Sequence, residues 1–178
     1  FAAQDYPNLD VLVVDTGEAS VAARVAEMLP AAVVHRTPGD PGFGATANSV
    51  FDLVSGAEFY IFSHDDVAPD PGAVTALVDA AQTWDADIVG PKLVDWGDDH
   101  RLLQFGLTVD RLGVALPYVE HGERDQGQHD GLRDVFAVPG AFTLVRESRF
   151  REVGGFDEAI DFLGADLSLS WRTRVAGG

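Results

Sequence analysis

The run Val11-Leu12-Val13-Val14, entered from Asp10 and closed by Asp15, is the feature that most restricts this chain. Four consecutive apolar residues have no hydrophilic face, so they form a strand only where both sides of the sheet are covered, as in a parallel sheet wrapped by helices. The segments that follow repeat the demand. A helix is expected from about Ala19 to Met28, a strand over Ala32-Val33-Val34-His35, a helix from Ala45 to Val54, and a strand from Glu58 to Ser63 that ends at His64-Asp65-Asp66. Asp70 as N-cap and Pro71 at the first helical position open a further helix, whose apolar residues Val74, Leu77, Val78, Ala81 and Trp84 recur three or four apart. Asp87-Ile88-Val89-Gly90 is another buried strand. Val135 to Val138 and Phe142 to Val145 read as strands, and Asp166 to Val175 as a helix with Leu167, Trp171 and Val175 turned inward. Trp84 and Trp171 are assigned to the core. Between Pro91 and Asp134 the chain is rich in glycine and charge, which predicts short strands and a mobile loop, and long loops in compact domains are usually functional.

The expected class is therefore α/β, with a Rossmann-like mixed sheet, mostly parallel, flanked by helices. Its 178 residues suit one domain with one core. The absence of cysteine excludes disulfides and thiolate metal sites and leaves carboxylates, imidazoles and water for any ion, which favours magnesium or manganese. A formal charge of -17 with Lys92 as the sole lysine repels polyanions, so nucleic acid is excluded as a partner. The same field opposes a phosphorylated ligand unless a local cation offsets it. No apolar run is long enough to span a bilayer and Phe1 to Pro7 do not read as a secretory signal, so the cytoplasmic side is expected.

In open sheets of this kind ligands gather at the carboxyl ends of the strands, where Asp15 and the pair Asp65-Asp66 lie. Neighbouring residues on a strand point to opposite faces, so a buried acid pair would be costly unless the chain turns there and a cation is present. A metal-binding turn resolves this. The plainer reading is that Asp66 caps a turn leading to Pro69 and that Asp65 is simply solvated. A metal-hydrolase reading of His64 with Asp65 lacks a second histidine pair at helical spacing. Asp15, before Thr16-Gly17, either accepts hydrogen bonds from a base or ribose or stabilises its own turn. Pro41-Gly42-Phe43-Gly44 lacks the lysine and spacing of a phosphate loop; close backbone packing with Asn48 lining a pocket is the expectation. Asp166 opens the last helix, where free N–H groups and the helix dipole favour an acid, and the same groups would hold a general base rigid and ionised. Glu123, Asp125, Gln126, Gln128 and His129 form either a substrate lid or a solvated acidic loop.

Together these segments resemble the family 2 glycosyltransferases of the GT-A fold, in particular their actinobacterial branch. The resemblance rests on Gln4-Asp5-Tyr6-Pro7-Asn8-Leu9 running into Asp10 to Asp15, Gly42-Phe43-Gly44-Ala45-Thr46-Ala47-Asn48, His64-Asp65-Asp66-Val67, Gly90-Pro91-Lys92-Leu93, Pro139-Gly140-Ala141 with Leu144-Val145-Arg146, Gly154-Gly155-Phe156-Asp157, and Gly164-Ala165-Asp166-Leu167 with Trp171-Arg172. It covers nearly the whole chain in order. It implies an inverting transfer from a UDP-, dTDP- or GDP-sugar to a glycan or lipid-linked acceptor, in cell-envelope polysaccharide or glycoconjugate synthesis. Asp15 and Asn48 would then help bind the donor, Asp65 and Asp66 would hold Mn2+ or Mg2+ and the diphosphate, Asp166 would be the catalytic base, and Glu123, Asp125, Gln128 and His129 would face the acceptor.

Two departures qualify the resemblance. The family reads Glu-Asp-x-Asp-Leu where this chain has Ala165-Asp166-Leu167-Ser168-Leu169, so two acids flanking the base position are gone. The family's opening strand and a histidine after its last helix have no counterpart, which predicts a fragment of a longer chain, a discontinuity beside Val11 to Val14 and membrane association through segments outside the chain. The rival readings are a sugar-nucleotide pyrophosphorylase, for which no basic glycine-rich triphosphate loop is visible, and a non-catalytic nucleotide-sugar-binding or scaffold module, favoured by Ala165 and Ser168.

Overall fold

The computed structural model describes residues 1–37, 39, 41–160 and 163–178. It is built from β1 (Leu12–Asp15), α1 (Ala22–Met28), β2 (Val33–Arg36), α2 (Phe43–Asn48), α3 (Val50–Leu53), β3 (Phe59–Ser63), α4 (Ala73–Thr83), β4 (Ile88–Val89), β5 (Leu93–Val94), β6 (Leu102–Gln104), β7 (Leu107–Val109), β8 (Ala115–Pro117), β9 (Phe142–Arg146), α5 (Glu147–Glu152) and α6 (Ala165–Val175). The mixed α/β class is as expected.

The sheet pairing differs from a mostly parallel one. β1 and β2 run parallel, but β9 lies between β3 and β4 and is antiparallel to both; β5 with β6 and β7 with β8 are antiparallel as well. The cause is β9, a long-range strand inserted between two that run the same way, which no local pattern announces. Among the described residues β1 pairs only with β2, and β3 only with β9, so the sheet is discontinuous on the side where the resemblance places a discontinuity.

Alternation along β3 and β9 builds two cores. Tyr60, Phe62 and Val145 face α5, α6 and the fully buried Phe150, which sits among the rings of Phe51, Phe62 and Phe156 at 4.9 to 5.4 Å between centroids. Phe59, Ile61, Phe142 and Leu144 face the opposite way, against Val74, Leu77, Val78 and Ala81 of α4. A strand shows its neighbours alternate faces, so this division follows from a period of two.

Helix ends depart from the sequence expectations. α1 begins at Ala22 rather than Ala19, because the Asp15 carboxylate accepts the Val21 N–H at 3.1 Å and shapes the residues before it into a turn. The helix expected from Ala45 to Val54 is two short ones divided at Ser49, whose hydroxyl donates back to the Thr46 carbonyl at 2.6 Å. α4 is not capped by the Asp70 side chain. Gln4 does this instead: its Oε1 accepts the Val74 N–H at 3.0 Å while its Nε2 donates to the Asp70 carbonyl at 2.7 Å. Residues 135–138 contribute a single bridge, Leu107 to Ala137, rather than a strand.

The two tryptophans assigned to the core are outside it. Trp84 ends α4 at 67% exposure, and Trp171 is 45% exposed with its edge on Phe136. α6 is rotated so that Ala165, Leu169, Ser170 and Thr173 face in and Val175 is 78% exposed. Small side chains let that helix approach the sheet closely, a preference that an apolar count along the helix reads with the wrong phase.

Candidate functional site

β3 carries the chain to an exposed turn at His64-Asp65-Asp66. The His64 N–H donates to the Ala141 carbonyl at 2.9 Å, which extends the β3–β9 ladder by one bond, and the His64 ring meets Phe43 edge-on at 5.5 Å. Gly140, next to Ala141, donates its N–H to Asp166 Oδ2 at 3.0 Å, and Asp166 Oδ1 accepts the Leu167 N–H at 2.8 Å. Thus one short segment, Pro139-Gly140-Ala141, braces the acid turn on one side and the first turn of α6 on the other. The two sequence-predicted elements meet the same scaffold.

Asp65 and Asp66 are exposed and, among the described residues, make no hydrogen bond or ion pair. Adjacent unpartnered carboxylates are hard oxygen donors of the kind that magnesium and manganese prefer, and they repel each other until a cation arrives. They therefore fit a divalent ion. Among the described residues no group of three or more His, Asp or Glu side chains gathers to hold one, so further ligands would come from a bound diphosphate and water. Half-buried Asp166 has no ion-pair partner among the described residues; Arg172, further along α6, is spent on the carbonyls of Val153 and Gly155 at 2.6 and 2.7 Å. Ala165, which stands where the resembled family has Glu, is buried in the core with Phe150, Phe156 and Leu169, and Ser168 accepts from Arg172 Nε at 3.3 Å.

Asp15 is buried and occupied by its own neighbourhood. Its oxygens accept the N–H groups of Gly17 and Val21, each at 3.1 Å, and the Arg36 guanidinium at 3.0 Å. The Val21 N–H first, then Gly17 and Arg36, hold the carboxyl below the usual carboxylate range against the opposing effect of burial. Of the two readings of Asp15 the turn-stabilising one describes what the side chain does here. Arg36 escaped the sequence reading, although the register Asp15 to Arg36 at the ends of two parallel strands follows from aligning the two apolar runs.

Asn48 is likewise engaged: its Nδ2 donates to the Phe156 carbonyl at 2.9 Å and Glu158 Oε1 at 3.0 Å, and its Oδ1 accepts the Phe156 N–H at 2.8 Å. It lines an open cavity of about 360 Å³ with Gly154, Phe156, Asp157, Glu158 and Arg172, as expected of a pocket residue, but its amide ties α2 to the 155–158 turn. Gly44 packs against the Asp157 carbonyl, where a Cβ would lie 3.2 Å away, which is the close-packing role expected of that glycine.

The 120–131 loop, whose residues Glu123 to His129 read as either a substrate lid or a solvated acidic loop, is tied at both ends. Glu123 accepts Gln128 Nε2 at 2.9 Å, the Glu120 N–H at 2.9 Å and His129 Nε2 at 2.8 Å, while the His129 ring lies 4.2 Å from that of Phe105. Lys92 bridges Asp125, at 2.6 Å, and Asp130. Gln126 bonds inward through its N–H to Gln128 Oε1 at 2.6 Å. The Gln128 amide first, then Glu120 and His129, lower the Glu123 pKa from 4.5 to about 2. A depressed folded value stabilises the loop above the unfolded value, and this contribution is lost as pH falls towards about 2. The Glu120 amide resonance should hold its neutral-pH position down to about pH 4.5 and move only below it. Glu123→Gln should abolish that movement; an amide that titrates with ordinary carboxylates would show that the tie does not form.

The glycosyl transferase family 2 sequence pattern matches residues 1–154. The chain is 29% identical over 176 residues to the pre-mycofactocin glycosyltransferase of Mycobacterium tuberculosis, covering 95% of this chain and 34% of that protein. It is 30% identical over 132 residues to the N-acetylglucosaminyl-diphospho-decaprenol L-rhamnosyltransferase of the same organism, covering 67% and 42%. It is 26% identical over 180 residues to the O-antigen biosynthesis protein RfbC of Myxococcus xanthus, covering 97% and 14%. It thus spans about a third of the first of these relatives. With a match over residues 1–154 of 178, the chain belongs to glycosyl transferase family 2.

Proposed function

We propose that this chain is the catalytic domain of an inverting, metal-dependent glycosyltransferase that moves a sugar from a nucleoside-diphosphate donor to an acceptor hydroxyl. The observation that carries the reading is the shared brace: Pro139-Gly140-Ala141 bonds both to the turn bearing Asp65 and Asp66 and to Asp166. Asp65 and Asp66 would hold Mn2+ or Mg2+, which when bound would offset charge on the leaving diphosphate. Asp166 accepts the acceptor's hydroxyl proton as its oxygen bonds to the anomeric carbon and the bond from that carbon to the diphosphate breaks, with inversion. The names of the relatives support a glycan or lipid-linked acceptor and a place in envelope polysaccharide or glycoconjugate synthesis; action at the cytoplasmic face of a membrane is part of the proposal. No described helix is long and apolar enough to cross a membrane.

Asp15 contributes as the rigid floor of the nucleoside end, held by Arg36, and Asn48 by fixing the wall of the cavity beside Phe43. The loop bearing Glu123, Asp125, Gln128 and His129 is a fixed wall of the acceptor side. Titration of the chain with UDP, GDP and dTDP, with and without manganese, followed by release of nucleoside diphosphate from UDP-glucose, GDP-mannose and dTDP-rhamnose, tests the reading. Manganese-dependent binding with turnover is the expected result. Binding without turnover identifies a non-catalytic module, and the absence of both ends the proposal.

A further inference from the structure

Thr143, on the central strand β9, is buried at 4% exposure and touches neither the acid turn nor the cavity. Its hydroxyl donates to the Pro139 carbonyl at 2.7 Å. That carbonyl and the Gly140 N–H belong to one peptide unit, which is trans, so the two groups point in opposite directions from a single rigid plane. At the far end of the plane the N–H meets Asp166 Oδ2 at 3.0 Å. The plane is therefore held at both ends: Thr143 hydroxyl to Pro139 oxygen, Gly140 N–H to Asp166 carboxylate.

From this we infer that Thr143 is a positioning residue for the reaction, acting on Asp166 through the Pro139–Gly140 peptide; the inference rests on Asp166 being the base. Two effects follow from the geometry. Rotation of the plane would swing the N–H off the carboxylate, and the hydroxyl prevents it. A hydroxyl donating to an amide oxygen also polarises the amide and strengthens its N–H as a donor. The surroundings leave Asp166 dependent on this contact, because its other partner is the Leu167 N–H of its own helix and, among the described residues, no cation pairs with it. Gly140 suits the arrangement: a Cβ there would lie 3.2 Å from the Asp166 Cβ, tight enough to push the acid away. Neighbouring bonds, from the Val138 N–H to Ser170 Oγ at 3.4 Å and from the His64 N–H to the Ala141 carbonyl at 2.9 Å, fix the segment but not the tilt of this plane.

Thr143→Val keeps the shape and removes the donor; Thr143→Ser restores it. The readout is the Gly140 amide resonance in the whole chain, identified by its change in Asp166→Asn. In Thr143→Val the amide proton should move to higher field, as for a weakened hydrogen bond. Thr143→Ser should match the wild type. Turnover of whichever donor the wild type uses should fall about fivefold in Thr143→Val with donor KM unchanged, and recover in Thr143→Ser. If Val is not tolerated, Thr143→Ala gives the same contrast. A Gly140 amide resonance in Thr143→Val that superimposes on the wild type overturns the inference, whereas full turnover in Asp166→Asn overturns the assignment of the base on which it rests.

Discussion

Asp166→Asn should lower turnover by about 10²- to 10⁴-fold, the range expected when a positioned general base is removed, while donor affinity and melting temperature stay near those of the wild type. The asymmetry follows from what the side chain does. Asn keeps an oxygen that can accept the Gly140 N–H, so the brace between Pro139-Gly140-Ala141 and α6 survives. It loses the negative charge that favours the first turn of a helix, worth only about 0.3 to 1 kcal/mol at an accessible site. It also loses any capacity to take a proton, and among the described residues no other acid bonds to this brace. The missing acids at Ala165 and Ser168 do not stand in the way: Ala165 is buried among apolar side chains and Ser168 accepts from Arg172, so neither position holds a group that could substitute for the base. Steady-state release of nucleoside diphosphate by wild type and variant, with the donor KM measured alongside, checks this. Equal kcat values would take Asp166 out of the reaction, and a raised KM with unchanged kcat would make it a binding residue.

The elements that were legible in the sequence are those whose cause is local. Val11 to Val14 and Phe59 to Ser63 announce strands because continuous apolar runs have no alternative, and α4 follows from the spacing of Val74, Leu77, Val78 and Ala81. What was not legible lies in partners distant along the chain. Gln4 caps α4 from 70 residues away, and β9 divides β3 from β4 by pairing with strands far from it in sequence. Trp84 and Trp171 misled because a large apolar side chain at helical spacing is read as core, whereas the helices present Ala81, Ser170 and Thr173 to the interior and leave the indoles outside. The candidate site divides the same way. Asp65, Asp66 and Asp166 were recognisable from their positions at a strand end and a helix start. That Asp15 and Asn48 spend their polar atoms on Arg36, Val21 and Phe156 depends on residues that no short motif contains.

Asp66→Ala should abolish manganese-dependent binding of nucleoside diphosphates, with Asp65→Ala close behind and EDTA reproducing both in the wild type. A chain at -17 repels a diphosphate over distances comparable to the Debye length, about 8 Å at physiological ionic strength, so binding needs a local cation. Arg36 is committed to Asp15 and Arg172 to backbone carbonyls. Asp65 and Asp66 offer the opposite arrangement, two exposed adjacent carboxylates with no partner among the described residues, at the end of a strand anchored by the His64 to Ala141 bond. On the proposed reading a divalent ion would relieve their mutual repulsion and present positive charge to the diphosphate. Because these exposed side chains make no hydrogen bond or ion pair among the described residues, removing one should change stability by no more than about 0.5 kcal/mol, as for other surface substitutions, so lost binding cannot be attributed to unfolding. Calorimetry with UDP, GDP and dTDP at fixed manganese, beside a thermal melt of each variant, separates the effects. Nucleotide binding that persists in EDTA would remove the ion from the proposal altogether, and metal-dependent binding that survives Asp66→Ala would move its ligands elsewhere on the strand ends.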